Sequence, residues 1–400
     1  MIVPENPMYY LGLDFGTSGC RACILEKQGR PVWQQALAAQ DDPLSPAFWR
    51  YGLACLADSI PLNLKPQLAG IAIDATSGTL LLTNDNLELL GSVMPYSAPY
   101  HGAARLARLL AGDPSGRASH LLTQADYINS ILLGFVPPGD IHNQLKCGFD
   151  PIGMRWQKDW LPVDRQHLWR EVVAPGTPLG PLSSEWARQH GLPASCQVMA
   201  GTTDSIAAFL AAGVHEPGTA VTSLGSTLAI KVVSPVPVDS ARHGAYSHWF
   251  GKNWLAGGAS NTGGRVLRQF FSLDQLDRLS RQIDPETDSP FDLYPLPAPG
   301  ERFPLADPDK QPVLSPRPAE DAEWLKALLQ GMSNIELAGY RLLQQLGAPY
   351  PTRVFTSGGG SRNQQWTRLR ERLLQIPVSQ AICQEAACGA ARLALQRGVA

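Results

Sequence analysis

Tyr10-Leu11-Gly12-Leu13-Asp14-Phe15-Gly16-Thr17-Ser18-Gly19-Cys20-Arg21-Ala22-Cys23-Ile24 is a strand, a small polar turn and a returning strand. Residues 9–13 are apolar and β-prone, Gly16 and Gly19 bracket the turn, and residues 20–25 run back. Two glycines let backbone N–H groups approach a ligand closely, and Thr17 and Ser18 add hydroxyls, so such a turn makes a concave anion site. Asp14, at the end of the incoming strand, would repel a phosphate by itself. It makes chemical sense as a holder of Mg²⁺, which takes one or two carboxylates together with water and phosphate oxygens. An ordinary glycine-rich hairpin with a turn aspartate has the same pattern, so the decision rests on what the rest of the chain supplies.

The chain supplies an echo. Thr219 to Lys231, with Ser223-Leu224-Gly225-Ser226-Thr227 at its centre, repeats strand, glycine–hydroxyl turn and strand. Two such hairpins suggest a duplicated fold in which each half offers one turn to a phosphate chain. Cys196 to Gly213 reads as strand, glycine turn and helix, with Asp204 at or just inside the helix N-terminus, where the macrodipole favours its ionised form. A helix-capping aspartate and a general base at a domain junction both fit that position. Val354 to Trp366 is strand, glycine loop and helix. There Gly358-Gly359-Gly360 would let a base or ribose lie against backbone, and Asn363 and Trp366 offer polar and planar contacts, Trp366 reading equally well as core.

The remaining elements frame these motifs. A third antiparallel strand is expected from Pro31 to Leu37, and Ser45-Pro46 opens a helix to Ser59 with Phe48, Leu53, Leu56 and Ile60 on its apolar side. Leu68 to Ile73 is a buried strand ending at Asp74-Ala75-Thr76-Ser77-Gly78-Thr79, and strand ends of open α/β sheets are where ligands sit, so Thr76 or Ser77 is a candidate contact. A hairpin is expected over residues 80–90 and a helical pattern from Tyr100 to Gly134, interrupted at Gly112-Asp113-Pro114. Residues 285–318 are proline-rich and read as a long surface excursion, Asp321 to Leu346 as the longest helix, and Glu385 to Leu395 as a closing helix.

Composition narrows the function classes. At 400 residues, two domains are expected. A hydrophobic share of 44% with 17% charged residues fits a well-packed globular enzyme. The formal net charge of −2 gives no electrostatic case for nucleic acid or an anionic membrane. No secretory leader and no run of membrane-spanning length is read from the sequence. Seven scattered cysteines argue against a secreted disulfide framework and for a reducing cytoplasm. Cys20 and Cys23 face opposite sides of a strand and read as small packed residues rather than as a metal pair.

Leu13-Asp-Phe-Gly-Thr-Ser-Gly19, Gly201-Thr-Thr-Asp204, Ser223-Leu-Gly-Ser-Thr227 and Gly358-Gly-Gly360 with Asn363 resemble, in this order, the motifs of the FGGY carbohydrate kinases, a branch of the actin/hexokinase/Hsp70 ATPase superfamily. Ala200 to Ala211, Gly257-Gly-Ala-Ser-Asn261, Tyr294-Pro-Leu-Pro297 and Gly300-Glu-Arg-Phe-Pro304 are most similar to the cyanobacterial and plant D-ribulose kinase (xylulose kinase-like) group. The resemblance implies an α/β fold of two RNase H-like (actin-like ATPase) domains with a central cleft. It divides the chain into residues 1–211 on the sugar side, with a C-terminal helix at 385–400 returning to it, and residues 212–384 on the nucleotide side. It implies ATP and Mg²⁺ as cofactors, with Gly16, Thr17, Ser18, Gly225, Ser226, Thr227, Gly258, Gly358, Gly359, Gly360, Asn363 and Trp366 on the nucleotide. Asp14 would hold the metal and Asp204 would be the base, and Asp14, Thr17, Ser77 and Asp204 would meet the sugar. The implied reaction moves the γ-phosphate of ATP to a hydroxyl of a ketopentose, D-ribulose first. Another sugar or polyol (xylulose, glycerol) and a non-catalytic sugar or nucleotide sensor are the alternatives, and the protein would be a cytoplasmic monomer or homodimer. One departure stands out. Between Pro95 and Asp126 the chain is shorter than its relatives and lacks the Lys-Leu-x-Trp helix that walls the sugar site, with Tyr96-Ser97-Ala98 where polar sugar contacts are usual.

Overall fold

The computed structural model describes residues 8–39 and 42–396. The chain divides into two compact units: the chain up to Ala211 together with the chain from Glu385 onward, and Ala212–Gln384.

In the first unit, β1 (Tyr9–Gly16), β2 (Gly19–Glu26) and β3 (Pro31–Ala38) form an antiparallel meander, and β4 (Leu68–Ala75) runs parallel to β1. The central strands are buried on both faces. On one face, Leu11, Leu13 and Phe15 meet Trp49, Leu53 and Leu56 of α1 (Pro46–Ser59). The Ser45 side chain caps that helix by accepting a bond from the Phe48 N–H at 3.2 Å. The other face is covered by the alanine-rich helix 386–396, which sits so close that a side chain at Gly12 would collide with its backbone at Ala387 and Ala391. The same helix brings the Cys388 sulfur to 2.7 Å from that of Cys23, while Cys20 lies in the opposite core.

A second layer holds a three-stranded sheet, β5 (Leu80–Thr83), β6 (Leu89–Met94) and β7 (His120–Thr123). The helical pattern expected from Tyr100 to Gly134 is corrected here. It splits into α2 (Gly102–Leu110), the strand β7 and α3 (Gln124–Leu133), which ends at Gly134 in the left-handed conformation. Leu121 and Leu122 are too short an apolar run to reveal their period, and pairing with β5 decides it. The connection beyond it carries four two-residue strands, β8 (Gly139–Asp140), β9 (Phe149–Asp150), β10 (Arg155–Trp156) and β11 (Val172–Val173), with the short α4 (Ile141–Gln144). Trp156 and Trp169 stack there with ring centroids 5.1 Å apart, as packing residues. Then β12 (Pro178–Pro181), α5 (Ser184–His190), β13 (Gln197–Thr203) and α6 (Asp204–Leu210) follow, completing the sheet order β12-β13-β4-β1-β2-β3.

The second unit repeats the plan. β14 (Thr219–Leu224), β15 (Leu228–Ser234) and β17 (Asn253–Ser260) are antiparallel, β16 (Tyr246–Phe250) extends the edge, and β18 (Arg353–Ser357) and β19 (Val378–Gln380) lie parallel to β14 on its other side. After α7 (Gly264–Leu267) and α8 (Leu273–Ser280) comes the long α9 (Asp321–Gln345), with Leu325, Leu328, Leu329, Met332 and Tyr340 buried. Residues 285–318 contain no helix or ladder strand, but they are not merely superficial. Leu296 and Phe303 are fully buried, and the Phe303 ring fills the space left by Gly258 and Gly339. α10 (Gln364–Leu374) packs on α9, and α11 (Ala386–Gln396) is the helix described above. Among the described residues, no helix is long and apolar enough to cross a membrane.

Candidate functional site

In the first unit, β1, β4 and β13 run parallel, so their C-terminal ends share one edge of the sheet. Register places Asp14 beside Asp74 and Asp74 beside Thr202. Asp204 is the first residue of α6, half-buried, with the Ser205 N–H donating to its Oδ1 at 2.6 Å. Three carboxylates therefore gather at one strand edge. Arg21 on β2 faces them, giving one N–H to Asp14 Oδ2 at 3.2 Å and one to the Ser18 hydroxyl at 3.2 Å.

Electrostatics here are unbalanced. Burial pushes the Asp14 carboxyl up from its ordinary value, and contact with Asp74 and Arg21 pulls it partly back. Asp74 is fully buried, and apart from the Asp14 carboxyl neither of its oxygens meets a hydrogen-bond partner. Burial raises its pKa well above the ordinary range, and the charges of Asp14 and Asp204 raise it further. Two carboxylates share a hydrogen bond only when one carries a proton. At neutral pH the alternative compensation is a cation, and this set of hard oxygens with an orphaned buried carboxylate suits a divalent ion such as Mg²⁺.

The turn after β4 is tightly knotted. The Thr76 hydroxyl donates to Gln124 Oε1 at 2.6 Å and meets the Thr79 hydroxyl at 2.6 Å, so Thr76 is committed to the fold while Ser77 is half-exposed at the tip. Arg105, buried on α2, gives its guanidinium to the carbonyls of Gly78, Pro95 and Tyr100, and the Lys146 stem packs against Gly78. Arg105 thus ties the 95–100 segment to the Ser77 turn. Nothing in the residue pattern of 100–110 marks it, because its partners are backbone carbonyls, three just upstream and one at Gly78.

In the second unit, Gly225 and Ser226 of the β14–β15 turn open onto a cavity of about 710 Å³, which Thr227 does not line. That volume is in the range of small-molecule and cofactor sites. Gly225, Ser226, Gly359, Gly360, Asn363 and Trp366 line it, with Leu273 and Leu276 as an apolar wall. Gly359 is open to the cavity, whereas a side chain at Gly360 would strike Leu224 and Trp366 at 2.7 Å. Gly358, with φ of 81°, packs on the Leu224 backbone, and Gly258 lies against Phe303, away from the cavity wall. Asn363 is an N-cap: Trp366 N–H donates to its Oδ1 at 3.0 Å, and its own Nδ2 donates to the Ser280 hydroxyl at 2.8 Å. Trp366 is almost wholly buried, and its indole N–H donates to Ser333 at 3.0 Å. Arg268, Arg281 and Arg362 also line the cavity, against one acid, Asp277. Sequence reasoning passed over all three arginines, which lie on three separate segments.

Residues 220–396 match the C-terminal domain of the FGGY family of carbohydrate kinases. A gluconokinase of Bacillus subtilis (strain 168) is 24% identical over 227 residues, 52% of this chain, and the match spans only 44% of that relative's length. Among solved structures, a xylulose kinase from Rhodospirillum rubrum aligns with TM-score 0.78 at 22% identity, over 96% of this chain and 89% of that one. A Plasmodium falciparum glycerol kinase with ADP aligns with TM-score 0.80 at 14% identity, over 98% and 90%. At these identities the likeness establishes the fold alone, a mixed α/β structure built as in those kinases.

Proposed function

For a chain that carries the C-terminal domain of the FGGY family of carbohydrate kinases and has the fold of those kinases throughout, we propose an ATP-dependent sugar kinase. The observation that carries this reading is the contrast of charge at the two hairpins: carboxylates Asp14, Asp74 and Asp204 at the first, a cavity with arginines at the second. The second unit takes the nucleotide, with Gly225, Ser226 and Thr227 at its phosphates and Gly358 to Gly360, Asn363 and Trp366 behind its nucleoside. Gly258, expected at the nucleotide, packs against Phe303 and does not line the cavity. The first unit takes the acceptor, with Asp14, Thr17, Ser77 and Asp204 at the sugar and Gly16, Thr17 and Ser18 offering a second phosphate turn.

Asp204 accepts the proton of the attacking hydroxyl, as its place at a helix start allows. Asp14 would hold Mg²⁺, directly or through water, and the ion when bound neutralises phosphate charge. Arg21 orients Asp14 and Ser18 together. Phosphoryl transfer is mostly positioning and charge stabilisation, so no covalent intermediate is required. D-Ribulose is our first choice of acceptor, on the motif resemblance, with xylulose, gluconate and glycerol as the acceptors suggested by the relatives' names. The scattered cysteines of the sequence support a cytoplasmic setting for this reaction.

An ADP-release assay with Mg-ATP against pentuloses, pentitols, gluconate and glycerol, beside a no-acceptor blank, tests the reading. Stimulation by D-ribulose above all others is expected. Slow ADP release that no acceptor stimulates would leave a nucleotide-binding fold without sugar chemistry and overturn the proposal.

A further inference from the structure

We propose that Arg268 binds the phosphate chain of the nucleotide in the second unit's cavity, aimed there by Ser226. The assignment deepens the donor site proposed above and rests on that reading. Arg268 directly follows α7, and the start of that helix is fastened to the β14–β15 turn. Gly264 N–H donates to the Gly225 carbonyl at 2.9 Å, and Arg265 N–H donates to the Ser226 carbonyl at 3.2 Å. One guanidinium N–H of Arg268 donates to the Ser226 hydroxyl at 3.1 Å. Backbone and side chain therefore both hold the guanidinium at the turn.

The remaining donors of Arg268 are uncommitted. A guanidinium carries five N–H groups in a rigid fork, and no carboxylate pairs with Arg268 among the described residues. It is exposed and lines the cavity. Arg281 and Arg362 line it too, without ion-pair partners among the described residues, so the wall carries more positive charge than Asp277 balances. The apolar lining of Leu273 and Leu276 supplies the other half of a nucleotide site, since Leu273 is 69% exposed and open to lie under a base. A planar fork beside a turn of backbone N–H groups matches a phosphate, which it can grip through two parallel bonds.

A brace for the turn alone would have no use for these spare donors, and the two roles separate in one titration. Adenosine, ADP and ATP are titrated calorimetrically into the wild type, Arg268→Ala and Arg268→Lys, each at low and high salt, with melting temperature as a folding check. The expected result is a loss of about 10-fold or more in ADP and ATP affinity for Arg268→Ala, with adenosine affinity unchanged. Arg268→Lys should recover part of the loss, and the salt dependence of ADP binding should flatten in Arg268→Ala. Equal weakening of adenosine and ADP, or ADP affinity that ignores the substitution, would overturn the assignment. A wild type that binds neither adenosine nor ADP would instead remove the donor site itself, which is a different failure.

Discussion

The two hairpins carry different chemistry at the same depth. Asp14 lies two residues before the end of β1 and pairs in register with Asp74, whereas Thr222 lies two residues before the end of β14 and pairs with Thr356. Beneath the second hairpin every charge is satisfied. Arg370 donates to both oxygens of Glu336 at 2.6 and 2.7 Å and to the Thr356 hydroxyl at 2.7 Å, and the Thr222 hydroxyl donates to Glu336. Beneath the first, Asp74 is buried with no hydrogen-bond partner apart from the Asp14 carboxyl. One fold plan thus holds a closed polar network in one copy and an open one in the other. Open buried polar groups are tolerated where they act, so the first edge reads as chemistry and the second network as scaffold for the cavity above it.

Breaking the closed network should have the largest effect on stability. Arg370→Ala strands Glu336, fully buried, and should destabilise the second unit by about 3–5 kcal/mol. Urea unfolding measures it, and a change under 1 kcal/mol would show that the pair is not the keystone described here.

Asp140 gives a pH handle on the first unit. It is buried, and burial first, then the charge of Asp126, pushes its carboxyl from 3.8 up to about 7, against the pull of its bonds from Asn143. An acid held protonated in the native state contributes stability fully below about pH 4, and that contribution is lost as pH rises toward 7. Stability should therefore fall across this window by up to a few kcal/mol, and Asp140→Asn should flatten the slope. A slope identical in the variant would assign the pH dependence elsewhere.

The opposite sign is expected at the open edge. Asp74→Asn replaces a buried carboxyl that can donate to Asp14 only while it holds a proton with an amide that donates at any pH, so stability at pH 7 should rise by about 1–2 kcal/mol while turnover falls. A loss of stability would mean that Asp74 is satisfied in a way this geometry does not contain.

How much was legible follows from distance along the chain. Both hairpins, the Ser45 cap, the start of α6 at Asp204 and the glycine loop at 358–360 are local patterns, and turn chemistry or capping specifies each within a few residues. β7 was hidden because four residues do not reveal a period, and the burial of Phe303 because it depends on Gly258 and Gly339 from other segments. Arg105, Arg268 and Arg370 were silent for the same reason. Backbone carbonyls or residues of other segments are their partners, so only the assembled structure distinguishes a clamp, a cavity wall and a buried pair from ordinary surface cations.

The most direct test of the division of labour between the hairpins is one paired measurement on Asp204→Ala, setting its turnover beside its ADP affinity. The account predicts that kcat falls by roughly 10²–10⁴-fold while ADP affinity stays within about twofold of the wild type. Retained turnover, or ADP binding lost together with activity, would contradict it.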